Sequence, residues 1–397
     1  MKQRVLILAI GWEQVPLIEL LALRGDIDLY AVHYSEDYYK GVEYKEVLIA
    51  DMLDFTEILA FAKKIRPTAV ISDQDDYAYL AQSYVATEFG LPGPSVDIAE
   101  LATNKYVQRK RCQKMGIRVP RYEQCRSAED LKGFAQRCGY PLIVKPVDAR
   151  GSFGVSKVSS ADEVTEAYME AYRNSISGLV IAEQFIEGDE ITVDGYCVGG
   201  EPMSIALATK SKLGDGLQVA IDIEYPGALD KKLYERAMRN NEVVCRGLGF
   251  SYGMTHAEYL IDSKGHIYLV EAANRGGGCF TSELIVPKVS GVDLVEELVL
   301  NALGESQFDG SEIVVDRNQV ILKFFTFESG VIKSINGLNK LEVDPDVLEY
   351  RLAFKEGEVI APITNDADRH GFVIVHDKKD ARRKADQVIA SITIEYE

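Results

Sequence analysis

The chain has one tryptophan, six cysteines and no uninterrupted apolar run long enough to span a bilayer. A spanning helix needs about 20 apolar residues, so no membrane partner is expected. The cysteines (Cys112, Cys125, Cys138, Cys197, Cys245, Cys279) form no C-x-x-C pair and no metal-like spacing. Neither a disulfide framework nor a zinc site is expected; scattered reduced thiols indicate a cytoplasmic protein. Basic residues are also in short supply, 44 against 62 acidic ones, a net charge of −18. That balance repels a phosphate backbone and excludes nucleic acid as a partner, while leaving local sites for small anions open. The opening MKQRVLILAIG lacks the length and cleavage site of a signal peptide and reads as a buried first strand. The first turn, Gly11-Trp12-Glu13-Gln14, is not G-x-G-x-x-G. Its bulky residues would obstruct a dinucleotide pyrophosphate.

At 397 residues the chain needs more than one core. Residues 1–100 alternate strand-like and helix-like runs as β-α-β-α-β, which predicts a Rossmann-like parallel sheet. The loop Asp73-Gln74-Asp75-Asp76 follows the third strand and reads as a solvated helix cap, with substrate contact the alternative. Leu91-Pro92-Gly93-Pro94-Ser95 marks a connection. Mixed β/α elements continue to about residue 310, and 311–397 reads as a small α+β unit. The fold class is therefore multidomain, α/β followed by α+β.

Chemistry concentrates in three segments. His256 to Gly278 reads as a hairpin around Asp262-Ser263-Lys264-Gly265. Pairing Asp262 with Gly265 sets Glu258 opposite Leu269 and His256 opposite Glu271. Alternation then puts His256, Glu258 and Glu271 on one face, where two carboxylates can share a metal. Arg275 and a run of three glycines follow, a suitable setting for phosphate beside Mg²⁺. Lys145 ends the strand YPLIVK and precedes a loop carrying Gly151 and Gly154, which suits phosphate binding, although it is not a P-loop. In VIAEQFIEGDE, Glu183 can accept from an exocyclic amine and Glu190 from ribose hydroxyls. Lys210 and Lys212 read as part of a solvated loop.

In order, TNKYVQRKR, PLIVKPVDARGSFGV, VIAEQFIEGDEITVDG, GMTHAEY, VEAANRGGG and VPKVSGVDLVEELV resemble the ATP-grasp superfamily of carboxylate–amine ligases over about residues 100–305. SGVIKSINGL to HGFVIVHD resembles the L-amino-acid ligase group. The resemblance implies a Rossmann-like domain at 1–100, an ATP-grasp domain at 101–310 with a lid at about 118–185, and a small domain at 311–397. It implies ATP and Mg²⁺ (or Mn²⁺), small carboxylate and amine substrates, and admits a homodimer. Lys105 and Lys145 would contact phosphates, with Arg150, Gly151, Ser152, Phe153 and Gly154 closing over them. Glu183 with the Gln184-Phe185-Ile186 backbone would hold adenine, and Glu190 the ribose. Glu258 and Glu271 would carry metal, Arg275 the substrate carboxylate or acyl phosphate, and His256 would line the substrate pocket. Many members have E-x-N-x-R where this chain has Glu271-Ala272-Ala273-Asn274-Arg275, so Asn274 serves as third ligand only through a local distortion. A purine-biosynthetic ligase acting on a phosphoribosyl amine and an inactive nucleotide-binding regulator are the alternatives.

Overall fold

The computed structural model describes residues 2–214, 219–314 and 318–397. The apolar runs of the N-terminal region form the parallel strands Gln3–Leu8, Ile27–His33 and Ala69–Ile71. A further strand, Glu46–Ile49, pairs with Ile27–His33 at the sheet edge. It is only half-buried and lacks the continuous apolar pattern of the central strands, so no strand is expected there from the residues. The helices Phe55–Ile65 and Asp76–Phe89 begin where Asp54 and Asp75 accept hydrogen bonds from the backbone N–H of the first turn.

Between 118 and 185 lies an antiparallel sheet in the order Tyr122–Cys125, Val180–Gln184, Leu142–Pro146, Ser156–Val158. Helices Ala128–Cys138 and Val164–Arg173 cover it around a core of its own that includes Leu131, Phe134, Val144 and Val180. The largest layer is an eight-stranded sheet. Its order is Ile267–Ala273, Met254–Ile261, Asp189–Val198, Glu201–Lys212, Ala220–Tyr225, Gln319–Phe324, Gly371–Asp377, Val347–Leu352. Ala220–Tyr225 pairs directly with Gln319–Phe324, with Asp222 opposite Lys323 and Tyr225 opposite Val320. The C-terminal segment therefore extends the central sheet across the 310/311 boundary. Its remaining strands, Val359–Ile360, Gly330–Asn336 and Thr393–Tyr396, make a small separate sheet.

One core cluster joins the N-terminal sheet (Val5, Ile7) to the central sheet (Ala206, Tyr225) and to helix Leu294–Leu303, so the edges of these layers converge on one cleft. The connector at Gly188 crosses the hairpin at very short range: a Cβ there would lie 2.1 Å from the Ile261 carbonyl oxygen. Gly188→Ala should cost about 1–3 kcal/mol through overpacking, read as a lower urea midpoint. A change within about 0.5 kcal/mol would show that the crossing is slack.

Candidate active site

The cleft encloses about 780 Å³ and is lined by all three layers. On its floor the hairpin register differs from the sequence expectation. The Asp262 N–H donates to the His266 carbonyl (3.0 Å) and the Gly265 N–H to the Asp262 carbonyl (2.8 Å), making the turn one residue longer. A bulge then leaves Val270 unpaired between Tyr259↔Leu269 and Glu258↔Glu271. Glu258 thus stands opposite Glu271, and His256 opposite Ala273, in place of the expected partners. The two shifts together bring the carboxylates face to face. The Val270 carbonyl, freed from the ladder, accepts from Arg109.

Like charges in this position need cations, and each carboxylate has a lysine. Lys105 Nζ lies 2.8 Å from Glu271, and Lys210 pairs with Glu258. Lys105 opens helix Lys105–Lys114 behind an Asn104 cap and also donates to the Ala149 carbonyl at 2.6 Å, tying the floor to the glycine loop. Four residues on, Arg109 emerges from the same helix face and reaches Glu183 at 2.6 Å. Lys145 holds the other Glu183 oxygen at 2.8 Å. Lys212 is 2.7 Å from Glu190, Arg150 is 2.6 Å from Asp75, and Arg275 forks onto Asp76 at 2.8 and 3.0 Å. His256 Nδ1 lies 2.7 Å from Asp194, whose second oxygen accepts from the Tyr225 hydroxyl. Burial opposes charge on His256, but Asp194 and Glu258 outweigh it and raise its pKa. The glycine run lets the chain pass close by: a Cβ at Gly277 would sit 2.7 Å from His256 Nδ1.

Several assignments need correction. Asn274 is buried: its amide accepts from Tyr79 (2.7 Å) and donates to the Tyr252 (2.7 Å) and Met254 (2.8 Å) carbonyls. All three bonds point into the core, so Asn274 anchors the strand end and is not a metal ligand here. Both Glu183 oxygens are held by cations, which makes it a positioner of Lys145 in place of an amine acceptor. The Gln184 and Phe185 N–H groups are spent on the Arg121 (2.8 Å) and Pro141 (3.3 Å) carbonyls, so a purine edge is left the Ile186 N–H and the strand-end carbonyls. Lys210 and Lys212 are not in a solvated loop. They end strand Glu201–Lys212, and their spacing of two puts both on the cleft face. Asp75 caps a helix as expected, while Asp73 and Asp76 are buried; Asp73 accepts from the Gly276 N–H at 2.9 Å. In the glycine loop, Ser152 donates to Asp366 of the C-terminal segment at 3.1 Å. Arg109, Asp194, Tyr225, Asp366 and Arg369 had no part in the sequence reading. Only Arg109, four residues after Lys105, left a usable trace in the sequence. Burial pushes the Cys279 thiol up to about 12, which disfavours its thiolate at neutral pH.

Among the described residues no group of three or more His, Cys, Asp or Glu side chains forms a ready metal cage. The two opposed carboxylates, each neutralised by a lysine, nonetheless suit a hard dication. Mg²⁺ takes one or two carboxylates and fills its shell with water and phosphate oxygens.

Lysines over paired carboxylates, in a nucleotide-sized cleft between two sheets, are the groups that a nucleotide's phosphates and a hard metal ion call for. Residues 138–283 match the ATP-grasp domain family. A D-alanine–D-alanine ligase of Pseudomonas fluorescens is 31% identical over 226 residues, covering 55% of this chain and 68% of that protein. The chain belongs to the ATP-grasp superfamily of carboxylate–amine ligases. Residues 323–397 match the L-amino acid ligase C-terminal domain 2. An L-arginine-specific L-amino acid ligase of Bacillus subtilis is 23% identical over 325 residues, 79% of this chain and 77% of that protein. The chain spans 65% of an uncharacterized Sinorhizobium fredii protein that is 27% identical over 322 residues, 78% of this chain. The crystal structure of an L-amino acid ligase from Bacillus licheniformis has the same fold, with a TM-score of 0.85 at 19% identity over 100% of this chain and 99% of that one.

Asn274→Ala should lower stability by about 1–3 kcal/mol per lost buried hydrogen-bonding group. The Mg²⁺ concentration giving half-maximal ADP release should not move; a several-fold increase would return Asn274 to the metal set. The two cations outweigh burial and hold Glu183 at about 2, below the ordinary 4.5. Its stabilising effect is therefore full above pH 4.5 and fades as pH falls toward 2. Glu183→Gln should lose about 3–5 kcal/mol at pH 7, because it strands buried cations. Its urea midpoint should also respond less than the parent's to acid in that window. An unchanged acid slope would contradict the ion-pair assignment.

Proposed function

We propose that the protein joins a carboxylate to an amine through an acyl phosphate, releasing ADP and phosphate, with an amino acid among its substrates. The observation that carries this reading is the facing pair Glu258 and Glu271, each beneath a lysine and next to Arg275. A substrate carboxylate oxygen attacks the γ-phosphorus of ATP, and the bond to the β,γ-bridging oxygen breaks, leaving ADP. The amine then attacks the acyl carbon and phosphate departs. Lys105 and Lys145 would offset charge on the phosphates, Lys105 and Lys210 releasing Glu271 and Glu258 to the metal, while Lys212 would keep its hold on Glu190. Arg275, kept in plane by Asp76, would bind the reacting carboxylate and then the tetrahedral oxyanion through its remaining N–H groups. Bound at Glu258 and Glu271, Mg²⁺ would act as a Lewis acid toward the phosphate oxygens. The glycine loop, held at Asp75 by Arg150 and at Asp366 by Ser152, would shield the acyl phosphate from water.

The likeness to an L-amino acid ligase in the C-terminal segment favours an amino-acid substrate over a phosphoribosyl amine. So does the first turn, where Trp12 packs against Phe280 and Phe372 with ring centres 5.4 and 5.9 Å apart and Glu13 accepts from the Cys279 N–H at 3.1 Å. That end of the cleft offers a sugar phosphate an acid and an aromatic. The retained Lys105, Lys145, Glu258, Glu271 and Arg275, all lining the cleft, weigh against an inactive regulator. The free cysteines suit a reducing, cytoplasmic setting.

Glu271→Gln should still bind ATP yet lose amine-dependent ADP release by at least about 100-fold, as expected for an electrostatic group at the reacting phosphate. Near-normal turnover would remove Glu271 from the metal site.

A further inference from the structure

Two acids outside the metal floor meet where the N-terminal layer touches the segment that carries Arg275. Asp73 follows strand Ala69–Ile71, and Glu283 lies in the short helical turn Thr281–Ile285 beyond the glycine run. Both are buried, at 1% and 8% exposure, so solvent does not screen them. Their side chains stand within hydrogen-bonding reach of each other. Asp73 Oδ1 accepts from the Gln74 N–H at 2.8 Å and from the Gly276 N–H at 2.9 Å. Glu283 Oε1 accepts from the Gln74 side-chain amide, which also donates to the Glu13 carbonyl at 2.9 Å. That leaves Asp73 Oδ2 and Glu283 Oε2, both buried and neither with a donor. No cation among the described residues pairs with either acid; Arg275 faces Asp73 but forks onto Asp76. The Glu13 carboxylate is turned to the Cys279 N–H, and the Cys279 thiol near Glu283 is kept uncharged by burial.

Adjoining buried carboxylates repel unless one carries a proton and donates it to the other. Asp73, with two backbone donors, suits the anion. Glu283 suits the acid, and burial beside Asp73 pushes its pKa well up. We infer that Asp73 and Glu283 share one proton, and that this bridged pair is a positioning device. It seats residues 275–278 against the N-terminal layer and lets them go in alkaline solution. The seat is tight: a Cβ at Gly276 would lie 2.6 Å from both Asp73 Oδ1 and Ser282 Oγ. Gln74, between the two acids, is held at φ 59°, a left-handed backbone that a side chain adopts only at a cost. Asp76, which keeps Arg275 in plane, lies three residues after Asp73 and crosses the same seam. When the proton leaves, like charges adjoin, the Gly276 contact loosens and Arg275 loses its alignment. That Arg275 handles the reacting carboxylate rests on the ligase reading above; the shared proton does not.

The test compares urea unfolding of the full chain and of Glu283→Gln from about pH 5 to about pH 10. Glu283 loses its proton near the ordinary 4.5 when unfolded but keeps it when folded. The pair's stabilising effect is therefore full below 4.5 and is lost as pH rises toward the folded value. In Glu283→Gln an amide N–H donates in place of the acid and has no proton to lose. The unfolding constants should diverge by up to about tenfold per pH unit, to the parent's disadvantage, until Glu283 ionises in the folded chain. Asp73→Asn, whose amide N–H donates to Glu283, should flatten the parent's slope likewise and serves if Glu283→Gln does not fold. ADP release with ATP, Mg²⁺ and the twenty common L-amino acids, singly and in pairs, gives kcat over the same range. The ratio of Glu283→Gln to parent kcat should rise several-fold toward the alkaline end, with the KM for ATP unmoved. A difference in unfolding constant that does not change with pH overturns the shared proton. Diverging stability with a flat kcat ratio overturns the positioning role. Absence of ADP release with every amino acid and pair overturns the ligase reading and the positioning role with it, while the urea series still decides the proton.

Discussion

Two carboxylates facing each other on neighbouring strands repel, by roughly 3 kcal/mol at ~5 Å and an effective dielectric constant of about 20. The architecture around Glu258 and Glu271 depends on relieving that repulsion. Lys105 comes from a helix start and Lys210 from a strand two positions away in the sheet, and each neutralises one acid. The same device recurs at Glu183, Glu190, Asp75 and Asp76. The cleft is thus a lattice of ion pairs whose members come from every layer of the protein. Its cations are the counter-charges that a nucleotide's phosphates need, and its floor acids are those that a hard metal ion needs.

The continuity of the central sheet determines what the C-terminal segment contributes. Because Gln319–Phe324 pairs with Ala220–Tyr225, Phe324 lies at the cleft wall and Asp366 and Arg369 reach into the cleft. A segment that holds the glycine loop through Asp366 and lines the cleft with Arg369 belongs to the site as much as the central layer does. The hydrophobic contacts that dock the N-terminal sheet bring Asp75 and Asp76 to the other side. Arg150 and Arg275 therefore depend for their orientation on a layer outside the one that carries them.

Much of this was legible in the residues. Apolar runs bounded by Gly and Asp fixed the parallel sheet, and the two hairpin acids and Arg275 were identified by alternation alone. The register was not legible, because it depends on a turn one residue longer than the shortest choice and on a bulge at Val270, and sequence period does not encode either. Asn274 was doubtful on alternation, and the structure gives the reason: its side chain is on the buried side and holds two backbone carbonyls. Lys210 and Lys212 were misread because a polar K-S-K stretch looks solvated when the acids it pairs with are distant along the chain, Glu258 being 48 residues from Lys210. Arg369 gave no signal, since its acid Asp366 is three residues away in an ordinary polar turn and its partner ring Phe324 becomes a neighbour only through the shared sheet.

The central claim is that the lysines on Glu258 and Glu271 are placeholders, exchanged when nucleotide and metal enter. A crystal structure of the protein with Mg²⁺ and a non-hydrolysable ATP analogue tests this directly. The account predicts that Lys105 leaves Glu271 and Lys210 leaves Glu258 by more than hydrogen-bond distance, with both carboxylates turned onto metal. Nucleotide and metal bound with both lysine–carboxylate pairs still intact would contradict it.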